Sequence, residues 1–212
     1  MNPDVFETIH VHHIYDTIYK RFNETRYSPW KAVDNFISMI ESNSIVLDIG
    51  CGNGKYSNLL KQSYYIGIDM SSMLIDITKN HGVDALIGNA LYLPFRSNSI
   101  DYILCIAMLH HLSTKERRFQ CIKEIIRVLK SGGQCIITVW ALELTDERKN
   151  KWIKINESGD YFVQWHHTSI LNRYYHFFSK EEIEEIIDVF KDDIIGNYFY
   201  DKDNWNILFY KR

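Results

Sequence analysis

No stretch of this chain approaches the ~18 apolar residues of a membrane-crossing helix. The longest apolar run, Ile100 to Leu109, is interrupted by Asp101. The first residues, Asp4 and Glu7 among them, have neither a basic region nor a long apolar run, so no signal peptide is read there. Cysteine is sparse: Cys51, Cys105, Cys121 and Cys135 lie singly, with no Cys-x-x-Cys pair. That pattern disfavours a disulfide framework or a zinc site on this chain and reads as the reduced thiols of an intracellular, cytoplasmic protein. A basic excess is missing as well. The net charge of −3 argues against a globally basic nucleic-acid binder while leaving room for a local patch. Repeats and low-complexity segments are absent. What is present, 212 residues at 46% hydrophobic, suffices for one sizeable core, and a single domain over 1–212 is the expectation.

The chain is organised around Ile45-Val46-Leu47-Asp48-Ile49-Gly50-Cys51-Gly52-Asn53-Gly54-Lys55-Tyr56. A β-branched run carries an acid, crosses three alternate glycines and enters an expected helix. Alternate glycines let the backbone turn sharply and approach a ligand where a Cβ would clash. A nicotinamide site wants its third glycine three residues after the second, and a pyrophosphate on the helix N-terminus. Here the third glycine follows after two, and Asp48 would repel a pyrophosphate. An acid at that point suits a cationic ligand such as S-adenosylmethionine, which carries an ammonium and a sulfonium. Ile66-Gly67-Ile68-Asp69 ends a second strand in an acid 21 residues after Asp48, the separation at which a βαβ unit brings a carboxylate to ribose hydroxyls. The glycine pattern resembles motif I of the class I methyltransferases.

Taken in order, 3–23 reads as helix, and Ser28 and Pro29 are placed to cap and start a second helix running to about Glu41. Together they form an N-terminal helical extension over 1–43. After the first strand come a helix at 54–61, a strand at 64–69 and a helix at 71–80 closed by Gly82. Further strands follow at 84–87 and 100–106. Thr114 caps a helix to about Leu129, stopped by Gly132-Gly133, and a fifth strand runs 135–140. The basic residues of that helix (Lys115, Arg117, Arg118, Lys123, Arg127, Lys130) read mainly as its solvated face. Residues 145–178 read as a substrate-side insertion, polar and aromatic and without sustained period. Ser179-Lys180-Glu181-Glu182 opens a helix through a capping box, and 194–200 with 205–210 form a hairpin. The fold class expected is α/β: five parallel strands plus a C-terminal hairpin, the seven-stranded, Rossmann-like sheet of class I methyltransferases.

Val11-His12-His13-Ile14-Tyr15, Thr25-Arg26-Tyr27-Ser28-Pro29-Trp30, Val139-Trp140-Ala141-Leu142-Glu143, Tyr161 to His166 and Arg173-Tyr174-Tyr175-His176, with the glycine loop, carry a closer likeness. Over nearly the whole chain the sequence resembles the eukaryotic tRNA wobble-uridine methyltransferases, which esterify 5-carboxymethyluridine-34 in the anticodon loop to the methoxycarbonylmethyl form. Gln164 stands where that family tends to have Pro, Leu144 where Gln is usual, and the chain after about 145 is shorter. The resemblance implies S-adenosylmethionine as cofactor, with Asp48 near the ammonium, Gly50, Cys51, Gly52 and Gly54 along the loop, Asp69 on the ribose, Met70, Asn89 and Ala90 around the adenine, and Ile106 near the methyl group. It implies tRNA as partner, with His13, Arg26, Tyr27, Trp30, Trp140, Trp165, Arg173, Tyr174 and His176 on the substrate side. It also implies a small zinc-binding activator subunit in a heterodimer. The apolar segment from Tyr64-Tyr65-Ile66 to Ile75 and Ile77 is a candidate surface for that subunit.

A carboxylate is already ionised at neutral pH, with an unperturbed pKa of about 4, so its methylation needs no general base. It needs an in-line approach and a donor that fixes one oxygen, which a guanidinium does well. Arg26 and Arg173 are the candidates, with Tyr27 and His110 beside them, and aromatic faces would hold a splayed base. The doubled histidines (His12-His13, His110-His111, His166-His167) lack an acid or Cys at ligand spacing, and no metal is expected. Two other readings stay open: a methyltransferase for a small quinone or carboxylic acid, and a cofactor-binding subunit without turnover.

Overall fold

The computed structural model describes residues 1–25, 28–143, 151–166 and 170–212. Its centre is a seven-stranded sheet of β1 (Ile45–Ile49), β2 (Tyr64–Asp69), β3 (Asp84–Ile87), β4 (Ile100–Ile106), β5 (Leu129–Trp140), β9 (Ile194–Asp201) and β10 (Asn204–Lys211), in the order β3-β2-β1-β4-β5-β10-β9. The pairs β1–β2, β2–β3, β1–β4 and β4–β5 are parallel, and β10 runs antiparallel to both β5 and β9. The order reverses between β1 and β4. Chains leaving those two strands diverge, and an open α/β sheet offers its ligand crevice at that point, beyond the carboxyl ends.

Apolar runs with clear punctuation form the elements expected of them. In β1, Val46, Leu47 and Ile49 are fully buried because helices cover both faces. Helix α4 (Ser72–Lys79) starts where the Ser71 side chain accepts from Leu74 N, and Gly82 beyond its end takes φ +75°. Helix α5 (Lys115–Val128) is capped by Thr114, and α6 (Lys180–Val189) by the Ser179–Glu182 capping box.

Four expectations change. The helix at 54–61 is only a 3-10 turn at Ser57–Leu59, because the loop must reach Tyr64, whose N–H donates to Ser44 O, within a few residues. The helix before β1, α3, spans Lys31–Ile37 with extended Trp30 as its cap, so Ser28 and Pro29 lie outside it. Gly132-Gly133 does not stop α5. That helix ends at Val128, and the glycines lie inside β5 at a register shift between Ile100 and Tyr102. Segment 145–178 is not without period: its described part forms a second, antiparallel sheet of β6 (Ile153–Lys154), β7 (Asp160–His166) and β8 (Ile170–His176). Alternation is hidden in β8 because Arg173, Tyr174, Tyr175 and His176 are all buried, so both faces are covered. The solvated reading of α5 also fails at two positions: Arg118 is buried with Nη1 on Leu112 O, and Arg117 pairs with Glu7 and Asp4.

The N-terminal extension is α1 (Pro3–Glu7), one π turn (Thr8–His12) and α2 (His13–Thr25). It lies across the crevice and is tied down along its length. Glu7 is buried and accepts from Ser113 N, Ser113 Oγ and both Arg117 Nε and Nη2 at 2.7–2.8 Å. Asp16 accepts from Ser71 Oγ at 2.6 Å, and Asn53 Nδ2 donates to Asn23 Oδ1 at 2.9 Å.

Candidate active site

A pocket of ≈ 280 Å³ fills the crevice, floored by the loops after β1, β2 and β4 and roofed by the N-terminal helices. Its first half is built from the glycine loop. Gly50 takes φ +72°, and a Cβ there would lie 2.3 Å from Met108 Cγ, so both backbone and neighbour exclude a side chain. Gly54 faces away from the pocket: a Cβ would meet Thr78 at 2.7 Å, so this glycine seats the loop on α4. Gly52 lies under Phe22 of α2, and Cys51 is buried beside it with its thiol pushed well up by burial.

Asp48 is 2% exposed and accepts a 2.7 Å hydrogen bond from Tyr65 Oη. Burial pushes its carboxyl up to about 7, against the pull of the Tyr65 hydrogen bond and of Lys55; Asp69 adds to the rise. A carboxyl at that value takes up a cation with little penalty, since the cation restores its ionised form. Asp69, at the end of β2, accepts from Gly52 N and Ser71 N at 2.9 Å each, and burial raises its carboxyl too. Met70, Asn89, Ala90 and Ile106 complete this half. The Asn89 carbonyl accepts from Leu91 N at 2.9 Å, which fixes the side chain and leaves the oxygen one further lone pair. These residues fit S-adenosylmethionine: a buried carboxylate for the ammonium, a wall without side chains, and a second acid at the end of the neighbouring strand.

The other half comes from three separated elements. His110 and His111 follow β4, Trp140 ends β5, and Arg173 and Tyr175 project from β8. Side chains alternate along a strand, so Arg173 and Tyr175 share the pocket face while Tyr174 and His176 point away. Tyr174 donates to Asp160 Oδ1 at 2.7 Å; His176 sits between Asp160 at 2.8 Å and Glu182 at 2.9 Å. Those two residues therefore hold the small sheet to α6 and do not reach the pocket. Trp165 stacks behind Arg173, its ring 4.7 Å from the guanidinium carbon. His13 is exposed, whereas His12, one residue earlier, lines the pocket with Val11 and Tyr15 at helical spacing. Trp30 lines the mouth. Arg26 and Tyr27 lie outside the described residues.

Arg173 is 4% exposed, and no carboxylate pairs with it among the described residues. The rings of Tyr15, Trp165 and Tyr175 surround it at 4.7–5.7 Å, its Nη1 reaches Tyr15 Oη at 3.3 Å, and its Nε has no hydrogen-bond partner. His110 Nδ1 accepts a long bond from Trp140 N at 3.5 Å, which leaves Nε2 as the protonated nitrogen, and burial keeps the ring neutral. Sequence reasoning missed Tyr15, His111 and Tyr175 as pocket residues. For Tyr175 the signal was available: it is two positions from Arg173.

A family model described as a methyltransferase domain matches residues 47–137. A Schizosaccharomyces pombe protein named tRNA (carboxymethyluridine(34)-5-O)-methyltransferase is 35% identical, aligned over 96% of this chain and 96% of its own length. Several relatives of the same name from frog, mouse, macaque and Arabidopsis thaliana are longer, and the chain spans 22–42% of them. Among solved structures, a SAM-dependent methyltransferase of Methanosarcina mazei matches with TM-score 0.73 at 20% identity, over 87% of this chain and 98% of that one. A Haloferax volcanii chain from a complex with the Trm112 methyltransferase activator matches with TM-score 0.68 at 14% identity, over 95% and 96%. Both structural matches speak to the fold.

Proposed function

The chain belongs to the tRNA (carboxymethyluridine(34)-5-O)-methyltransferase family, and we propose that it esterifies the carboxylate of 5-carboxymethyluridine-34 in tRNA, giving 5-methoxycarbonylmethyluridine. It is a SAM-dependent methyltransferase. S-adenosylmethionine supplies a methyl group on a sulfonium, so the oxygen–methyl bond forms as the sulfur–methyl bond breaks, and S-adenosylhomocysteine is left.

The observation that carries the substrate reading is Arg173. A guanidinium buried among three rings, with no acid beside it among the described residues, is costly unless its ligand brings the negative charge. A carboxylate entering between Arg173 and the Asp48 loop would have one oxygen held by the guanidinium, and the N–H of His110 Nε2 stands beside the same space. The second oxygen stays free to attack. No base is needed, and burial lowers the proton affinity of both His110 and His111, which makes them poor proton acceptors. The protein's contribution is orientation, which is worth roughly 7–11 kcal/mol when geometry is good. Trp30 and Trp140, at the pocket wall, offer faces for the splayed base.

The test is transfer of labelled methyl to tRNA bearing the free carboxymethyl group. Transfer that disappears when the tRNA lacks that group, and that falls at least a hundredfold in Arg173→Ala with S-adenosylhomocysteine binding retained, supports the reading. Equal transfer to both tRNAs sinks it.

We take 1–212 as one domain, because the N-terminal extension and the insertion each contribute pocket wall, and we place the reaction in the cytoplasm, where four unpaired buried thiols stay reduced. A small zinc-binding activator subunit is the further partner proposed. Supporting it are β3, whose outer edge no strand covers among the described residues, and the exposed Tyr64, Ile87 and Tyr92 around it, at 66%, 57% and 72%. Within the segment expected from sequence, Tyr65 and Ile75 are buried, so the surface is narrower and shifted toward β3. The chain alone should be poorly soluble and weakly active; full solubility and activity in isolation would remove the need for a partner.

A further inference from the structure

The pocket contains a hydrogen-bonded chain whose proton directions can be worked out from its ends. His111 Nδ1 lies 2.9 Å from the backbone carbonyl of Tyr174, which can only accept. Nδ1 therefore carries the proton. Burial pushes this imidazole down to about 3, so the ring is neutral and Nε2 has a bare lone pair. Tyr15 Oη lies 2.9 Å from that nitrogen and must donate to it. With its one proton committed, Tyr15 can only accept from its remaining neighbours, Arg173 Nη1 and Tyr175 Oη, both at 3.3 Å. The order is thus fixed from the Tyr174 carbonyl through His111 and Tyr15 to the guanidinium.

Resting on the reading of Arg173 as the carboxylate-binding group, we infer that Tyr15 is a positioning residue that aims the Arg173 guanidinium at the substrate carboxylate, with His111 setting the direction of the Tyr15 hydroxyl. Without His111 the hydroxyl is free to rotate and turn its proton toward Arg173, opposing the cation it now supports. Tyr15 stands on α2, and α2 reaches the body through Asp16–Ser71 and the Asn23–Asn53 pair. Arg173 stands on β8, in the small sheet. The hydroxyl is therefore a direct polar link between the helix that roofs the cofactor and the strand that meets the substrate. Two consequences follow: the carboxylate site is complete only when α2 is docked, and Tyr15 contributes through its oxygen as well as its ring.

The test uses the full chain, tRNA carrying 5-carboxymethyluridine-34 and saturating S-adenosylmethionine, in single turnover. Tyr15→Phe keeps the ring against Phe22 and His111 and loses only the oxygen. Its methyl-transfer rate should fall roughly 10- to 100-fold, the loss expected of a misplaced group, while tRNA affinity, spread over many contacts, stays within about twofold. Retained S-adenosylhomocysteine binding establishes that the variant is folded. His111→Gln, whose amide oxygen can still accept from Tyr15, should recover part of the rate lost in His111→Ala. Combining Tyr15→Phe with His111→Ala should cost little more than either alone, because both break one chain. An unchanged rate in Tyr15→Phe, or two losses that multiply, overturns the inference. If Arg173→Ala keeps its transfer rate, the carboxylate reading falls and this inference with it; a crippled Arg173→Ala beside a normal Tyr15→Phe removes the inference alone.

Discussion

The Tyr65 hydroxyl donates a 2.7 Å hydrogen bond to Asp48 Oδ2 across the parallel pair β1–β2, where both side chains are buried. Without that bond, and without Lys55, burial and the neighbouring Asp69 would lift the Asp48 carboxyl above its value of about 7. A bound ammonium favours the ionised carboxyl, so cofactor affinity should rise as pH passes upward through about 7. It should decline once the cofactor's own amine, near ~8 for an α-amino group, loses its proton. Tyr65→Phe should move the rise to higher pH and weaken S-adenosylhomocysteine binding at pH 7 roughly tenfold, the worth of a hydrogen bond to a charged group. Calorimetric titration across pH checks this; an unchanged pH profile means the hydroxyl does not tune Asp48.

The same carboxyl sets a cost in stability. Its folded value, about 7, lies above the ~3.9 of an unfolded aspartate. Between those values the folded state binds the extra proton, so stability falls as pH rises from about 4 to 7 and the cost is fully present above 7. Asp48→Asn, which can still accept from Tyr65, should raise Tm at pH 8 by several degrees, at about 2–4 °C per kcal/mol for a chain of this size. It should leave Tm at pH 4 nearly unchanged and abolish cofactor binding. A variant that melts lower at pH 8 contradicts the assignment of strain to the carboxylate.

Gly50 and Gly82 share a left-handed backbone, φ +72° and +75°, but only Gly50 has a neighbour in the way. Gly82→Ala should cost about 1 kcal/mol from backbone conformation alone. Gly50→Ala adds the collision with Met108 and should cost about 2–4 kcal/mol, with loss of cofactor binding. Chemical denaturation of the two variants side by side separates backbone strain from packing.

His176 bridges Asp160 on β7 and Glu182 on α6, and both carboxyls are held below the usual range with the histidine among the causes. Removing it leaves two partly buried acids facing each other. His176→Ala should destabilise the protein by about 1–3 kcal/mol, the cost of leaving partly buried acceptors short of a donor. At a temperature where the variant is folded, its affinity for tRNA should match the wild type. A specific loss of tRNA affinity would instead return His176 to the substrate side.

The cofactor half of the site was legible because it is local: Asp48, Gly50, Cys51, Gly52, Asp69 and Met70 lie at strand ends bounded by glycine and apolar runs, and β1 to β4 follow the same punctuation. The substrate half required knowing which way a strand faces. Arg173 and His110 can be chosen by chemistry, but the family resemblance carries Tyr174 and His176 along with Arg173, and β8, buried on both faces, shows no alternation of apolar and polar residues that would separate them. Tyr15 and His111 join the pocket through a contact 96 residues apart in sequence, which no local pattern encodes.

The central claim is that the buried guanidinium of Arg173 receives a carboxylate, and one measurement bears on it most directly. The wobble nucleoside is recovered by mass spectrometry after single turnover on tRNA carrying 5-carboxymethyluridine, with wild type and Arg173→Ala compared at equal cofactor occupancy. The wild type should yield a base-labile methyl ester on that nucleoside, and Arg173→Ala at most about a hundredth of its rate. A methyl group found elsewhere on the tRNA, or an undiminished ester in Arg173→Ala, would contradict the account.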